Sequence, residues 1–191
     1  MIPTSTLLGA YQTGFFPMAV GGRIRWFSPD RRGIVPLDQF HAPRRLRRIV
    51  RQGRFEVSAD RAFRDVIVAC GSRTDPAGNW IDEEIVESYA ALHAAGFAHS
   101  IETWRDGSLV GGLYGVSLRG AFFGESMFHL VTDASKVALC ALVERLRARG
   151  YVLLDIQWLT PHLERLGALE VPRRRYLELL ADAMLEDCRF A

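Results

Sequence analysis

The sequence predicts a mixed α/β fold, a largely antiparallel sheet flanked by helices behind a small irregular N-terminal lobe, and three observations carry that reading. Strand-like runs at 98–104, 109–117 and 120–128 are joined by Arg-Asp-Gly-Ser and Leu-Arg-Gly, which are hairpin turn chemistries. An amphipathic stretch at 135–149 leads to the short apolar run 151–156, the pattern of a crossover helix feeding a strand buried on both faces. Residues 1–38 are crowded instead with Gly14, Pro17, Gly21, Gly22, Pro29, Gly33 and Pro36, so turns and short strands are expected there, after one short helix at 7–12.

Between lobe and meander the elements follow in order. A basic helix at 43–51 precedes a strand at 54–58 and a helix at 61–70 capped by Asp60, then a polar loop at 71–79. A longer helix at 82–95 has acids in its first turn and Gly96 as its stop. Past the meander, Thr132 or Asp133 caps the amphipathic helix and Gly150 ends it. Thr160-Pro161 opens a short helix, and 172–187 forms the last one. The expected division is a lobe at 1–38 and a catalytic domain at 39–191.

At 191 residues, 49% hydrophobic and 24% charged, the chain can bury a full core. No apolar run approaches the roughly 20 residues that span a bilayer, and no export signal opens the chain, so a cytoplasmic protein without membrane attachment is expected. Cys70, Cys140 and Cys188 are too scattered for a disulfide framework or a zinc site. Net charge is only +2, yet every basic residue except Lys136 is arginine, and five of them fall in the nine positions 43–51. On a helix, Arg44, Arg48 and Arg51 share one face, a dock for phosphates or simply a solvated basic surface, while Leu46, Ile49 and Val50 turn to the core. A second cluster, Arg173 to Arg175, opens the last helix.

The candidate chemistry sits at strand ends. Asp155 and Gln157 close an apolar run, and their spacing of two puts them on one face of an extended segment, where an amide oxygen and a carboxylate could orient an attacking amine. Equally, the aspartate could cap a turn and the glutamine lie on the surface. Glu125 stands among phenylalanines in Phe122-Phe-Gly-Glu-Ser-Met-Phe128 and must face a cleft or find a donor such as an arginine. Alternation places Phe123, Glu125 and Met127 on one face unless a bulge at Gly124 resets the register. Val110-Gly-Gly-Leu-Tyr-Gly115 marks close backbone approach, and Trp26 and Trp80, in breaker-rich loops, could stack on a base or pack at a core edge.

Together with Tyr11-Gln-Thr-Gly-Phe-Phe-Pro17, Trp26-Phe-Ser-Pro-Asp30, Asn79-Trp-Ile81, His99-Ser-Ile-Glu-Thr-Trp104, Gly124-Glu-Ser-Met-Phe128, Ala134-Ser-Lys136, Asp155-Ile-Gln157 and His162-Leu-Glu-Arg-Leu-Gly-Ala168, these blocks resemble the leucyl/phenylalanyl-tRNA–protein transferase family, in order, over nearly the whole chain. The resemblance implies a cytoplasmic enzyme with a GNAT-like large domain that moves Leu or Phe from aminoacyl-tRNA to proteins beginning with Arg or Lys, a degradation signal of the N-end rule. It also implies that Asp155 and Gln157 activate the amine with Glu125 beside them. Phe122, Met127 and Leu113 would form the donor side-chain pocket, Trp80 would meet the terminal adenosine, and Arg44, Arg48 and Arg51 would hold the acceptor stem. No cofactor is required, because the ester is already activated, and a monomer is expected. Trp26 remains a substrate-stacking candidate.

Three departures accompany the resemblance. A reduced lobe is expected beside the family's usual pattern, Met18 stands where many members have Trp, and Leu113 stands where Met is frequent. Two other classes share features with the chain. An acetyl-CoA N-acetyltransferase would need a pyrophosphate loop between a strand and a helix, for which no candidate sequence is found. A non-catalytic RNA-binding module would use the arginines but not Glu125, Asp155 and Gln157.

Overall fold

The computed structural model describes residues 1–72 and 79–191, so most of the expected polar loop, 73–78, lies outside the described residues. The helices are α1 (Thr4–Gln12), α2 (Arg44–Arg51), α3 (Phe63–Gly71), α4 (Glu83–Ala94), α5 (Ala134–Ala148), α6 (Pro161–Glu164) and α7 (Arg173–Ala183). The strands are β1 (Phe16–Val20), β2 (Arg23–Phe27), β3 (Arg31–Val35), β4 (Glu56–Ala59), β5 (Ala98–Arg105), β6 (Ser108–Leu118), β7 (Ala121–His129), β8 (Leu153–Gln157) and β9 (Leu169–Pro172). β1 and β2 form a separate hairpin, and the others form one sheet in the order β4-β5-β6-β7-β8-β3-β9. All its neighbours run antiparallel except β7 and β8, the parallel pair that α5 connects. Mixed direction, meander and crossover therefore stand as the residue pattern predicts.

Period-two burial divides the core between the two sheet faces. Tyr114, Phe123, Leu153 and Ile34 face one side, covered by α1, α3, α4 and α7 through Leu7, Tyr11, Ile67, Tyr89 and Tyr176. Their sequence neighbours Leu113, Phe122, Leu154 and Val35 face the other, covered by α2 and α5 through Leu46, Ile49, Leu139 and Leu142. Leu46 and Ile49 of the basic helix point inward as expected.

Four local expectations change. Arg31–Val35, expected within the irregular lobe, is a strand of the main sheet between β8 and β9, and α1 contributes to the main core. Leu169–Pro172 is a strand for which no element was expected before Pro172, and the last helix, expected at 172–187, runs from Arg173 to Ala183. Asp60 does not cap α3. It takes a positive φ, accepts from the Ser100 N–H at 2.9 Å and lies 2.8 Å from His99 Nδ1, tying the turn before α3 to β5. Asp133 occupies the position before α5, but its carboxylate meets Arg45 and Lys136 rather than the helix N–H groups.

The bulge foreseen at Gly124 exists. Tyr114 pairs with Ser126 and Gly115 with Gly124, which leaves Glu125 as the extra residue of β7. The register is thereby reset: Phe122 and Met127 share one face, Phe123 and Phe128 the other. Gly115 permits this crowding, since a Cβ there would lie 2.2 Å from the Phe123 carbonyl oxygen. Gly111 likewise lets α5 approach, a Cβ lying 2.6 Å from that of Ala134. The glycines of β6 therefore admit neighbouring protein atoms.

Candidate active site

Parallel strands β7 and β8 pair only as far as Phe123 and Asp155. Beyond that point β7 bulges away while β8 stays against β3, and the two carboxyl ends splay, the place where α/β sheets form ligand crevices. A cavity of about 440 Å³ fills the gap. Its apolar wall is Leu113, Met127, Leu139, Leu142, Leu154 and Ile156, aromatic groups Phe16, Trp80 and Trp158 lie with Met18 along another part, and Glu125, Ser126, Gln157, Thr160 and His162 are its polar members.

Glu125 is presented by the bulge. Tyr89 donates a hydroxyl hydrogen to its Oε2 at 3.2 Å, and the Tyr89 and Tyr11 hydroxyls contact each other. The Gln157 carboxamide nitrogen lies 3.4 Å from Oε1. Burial pushes the Glu125 carboxyl up to about 8; hydrogen bonds from Tyr11 and Tyr89 and the charge of Arg32 oppose the rise, and Asp155 adds to it. At neutral pH the protonated form of the group predominates.

Asp155 does not share that cleft, contrary to expectation. Its carboxylate is fully buried and takes the Arg32 Nε at 2.9 and 3.1 Å, the Arg32 Nη2 at 2.7 Å and the Tyr176 hydroxyl at 2.7 Å. It reaches Gln157 only through the backbone, accepting the Gln157 N–H at 2.8 Å. The spacing argument assumed an extended chain, but Gln157 has φ +57, and the Trp158 N–H donates across it to the Ile156 carbonyl at 2.7 Å. That is the rarer, strained form of γ-turn, and it breaks the alternation, sending carboxylate and carboxamide to different surroundings.

Of the other candidates, Leu113, Met127 and Trp80 line the cavity. Phe122 does not: it is fully buried behind that wall, stacked on Phe190 with ring centres 5.4 Å apart. Trp26 lies on the β1–β2 hairpin opposite Pro17, outside the cavity lining. Arg44, Arg48 and Arg51 are exposed on α2 as the helical spacing requires, and Arg44, Arg47 and Arg51 edge a separate groove between α2 and α5 that Arg147 also borders. Helix α5 serves both hollows, Leu139 and Leu142 in the cavity and Cys140 and Val143 in the groove.

Several lining residues escaped the sequence reading. Trp158 is 43% exposed and set edge-on to Phe16, with ring centres 5.0 Å apart; its signal was adjacency to Gln157. His162 lies in a quoted block, and burial, helped by Lys136, His129 and Arg165, lowers its pKa. Arg32, which lies outside the lining, had no signal, being one of four arginines in the breaker-rich first 38 residues.

Comparison with known proteins places the chain in a family. The leucyl/phenylalanyl-tRNA protein transferase family matches residues 34–181, and the N-terminal domain of the same family matches residues 1–30. Proteins named leucyl/phenylalanyl-tRNA–protein transferase from Herpetosiphon aurantiacus and Gloeobacter violaceus are each 52% identical, covering 93% and 96% of this chain and 92% and 95% of their own. The one from Salinibacter ruber is 53% identical over 93% of this chain and 78% of its own. Among solved structures FemX is similar in fold, with a TM-score of 0.54 at 12% identity over 92% of this chain and 70% of that one. The chain belongs to the leucyl/phenylalanyl-tRNA protein transferase family, and it is an aminoacyltransferase.

Proposed function

We propose that the cavity between β7 and β8 is where Leu or Phe passes from aminoacyl-tRNA to the α-amino group of a protein beginning with Arg or Lys. The observation that carries this reading is one hollow of about 440 Å³ in which an apolar pocket meets Glu125 and Gln157. Leu113 and Met127, with Leu139, Leu142 and Ile156, accept the unbranched stem of the donor side chain. Trp80 packs the terminal adenosine, and Arg44, Arg48 and Arg51 hold acceptor-stem phosphates. Phe122 supports the pocket from behind, and Trp26 has no part in it.

In the reaction the amine nitrogen bonds to the ester carbonyl carbon, the bond from that carbon to the ribose oxygen breaks, and one amine proton ends on the leaving hydroxyl. The ester needs no activation, so proximity and orientation supply most of the acceleration. The Gln157 nitrogen is held by Glu125, leaving its carbonyl oxygen to accept an N–H of the incoming amine. The ionised form of Glu125, a minor fraction at neutral pH and about half at pH 8, takes the proton of the arriving ammonium, whose usual pKa of about 8 matches its own. Asp155 is paired with Arg32 and lies outside the cavity lining. Asp155 then acts by holding Gln157 rather than by touching substrate. The product is a degradation signal of the N-end rule, made in the cytoplasm by a monomer.

Purified protein given Leu-tRNA and an Arg-initiated peptide is expected to yield leucylated peptide, and acetyl-CoA in place of the tRNA to yield none. Transfer to a Glu-initiated peptide at the same rate would refute the acceptor assignment.

A further inference from the structure

Arg32 on β3 is completely buried and placed by four segments of chain. Two of its nitrogens grip Asp155, while Nη1 donates to the Gly14 carbonyl at 3.1 Å, in the turn between α1 and β1. The rings of Phe16 and Tyr176 approach its guanidinium carbon, with centres at 4.8 and 4.4 Å. Tyr176 of α7 also donates to Asp155, so the carboxylate is held from β3 and α7, and its remaining bond goes to the Gln157 N–H. The next residue of β3, Gly33, lies under the turn that follows Gln157, where a Cβ would be 2.8 Å from Trp158 and Leu159 backbone atoms. β3 thus supplies both the charge and the space for one γ-turn.

Stability gives little reason for such an arrangement. A buried ion pair replaced by apolar residues of similar volume is often neutral or stabilising, because desolvation offsets the Coulombic gain. Directional hold is what an apolar pair could not reproduce: a planar fork sets both carboxylate oxygens, and one of them sets a strained backbone.

We propose that Arg32 is a positioning residue for aminoacyl transfer: through Asp155 it fixes the left-handed turn at Gln157 and so aims the carboxamide into the cleft. The inference rests on the reading of Gln157 as the group that orients the amine. It concerns turnover rather than tRNA docking, since the Arg32 side chain does not line the cavity.

The test compares Arg32→Lys, the paired variant Arg32→Met with Asp155→Leu, and Gln157→Ala, all in the full chain with Leu-tRNA and an Arg-initiated peptide. The apolar pair is expected to unfold in urea at or above the wild-type midpoint, yet to lose about 100-fold in kcat, the scale of an ångström-sized misplacement. Its KM for Leu-tRNA should stay within about 3-fold, as for loss of an interaction made only in the transition state. Arg32→Lys keeps the charge without the fork and is expected to lose about 10-fold in kcat, which decides the question even if the apolar pair does not fold. Wild-type kcat in either folded variant overturns the proposal. Wild-type kcat in Gln157→Ala overturns the carboxamide reading beneath it instead, and the proposal with it.

Discussion

A glutamate in open water ionises near pH 4, whereas Glu125, beside Tyr11 and Tyr89, keeps its proton to about pH 8. Because the folded state binds this proton more tightly than the unfolded chain, Glu125 favours folding most below about pH 4.5, and that contribution is lost as pH rises to about 8. Glu125→Gln removes the titration. Its melting temperature is therefore expected to gain on the wild type steadily between pH 5 and 8, and a pH-independent difference in calorimetry would show that the carboxyl is not so held. The pocket residues make a second test. Leu113→Phe intrudes on a wall of the cavity, and kcat/KM for Phe-tRNA is expected to fall about 10-fold or more relative to Leu-tRNA. At this scale the sequence marked Glu125 and Gln157 correctly as facing one hollow. The separation of Asp155 from Gln157 was hidden, because it depends on one positive φ that glutamine does not advertise.

Among the elements, α2 and β6 carry the clearest consequences. Arg44, Arg48 and Arg51 are exposed, so each substitution by alanine is expected to weaken tRNA binding with little effect on folding. Each should also lower the slope of log affinity against log salt by about 1 if it contacts a phosphate. A slope unchanged in all three would remove α2 from the tRNA surface. Gly115→Ala sets a Cβ against the β7 bulge and is expected to cost at least about 2 kcal/mol in urea denaturation. The meander, α5 and β8 were legible because their patterns are local: alternation, a hairpin turn, a 3.6-residue period. β3 and β9 were not. Arg31-Arg32-Gly33 resembles a turn, and only pairing with β8 and β9, more than a hundred residues away in sequence, makes it a strand.

Over the whole molecule, the first thirty residues act as part of the enzyme rather than as an appendage. Leu7, Tyr11 and Phe16 are buried in the larger core, and the Gly14 carbonyl completes the Arg32 shell. A chain starting at residue 31 is expected to lose its cooperative urea transition, and a sharp transition at the wild-type midpoint would show the segment to be dispensable. The turn at Gln157 has a consequence of the same reach. Glycine adopts that backbone without strain, so Gln157→Gly should outlast Gln157→Ala against heat by about 1 kcal/mol although both lose the carboxamide. Selection for a sturdier protein alone would drift toward glycine there, a change that the role proposed for the carboxamide forbids.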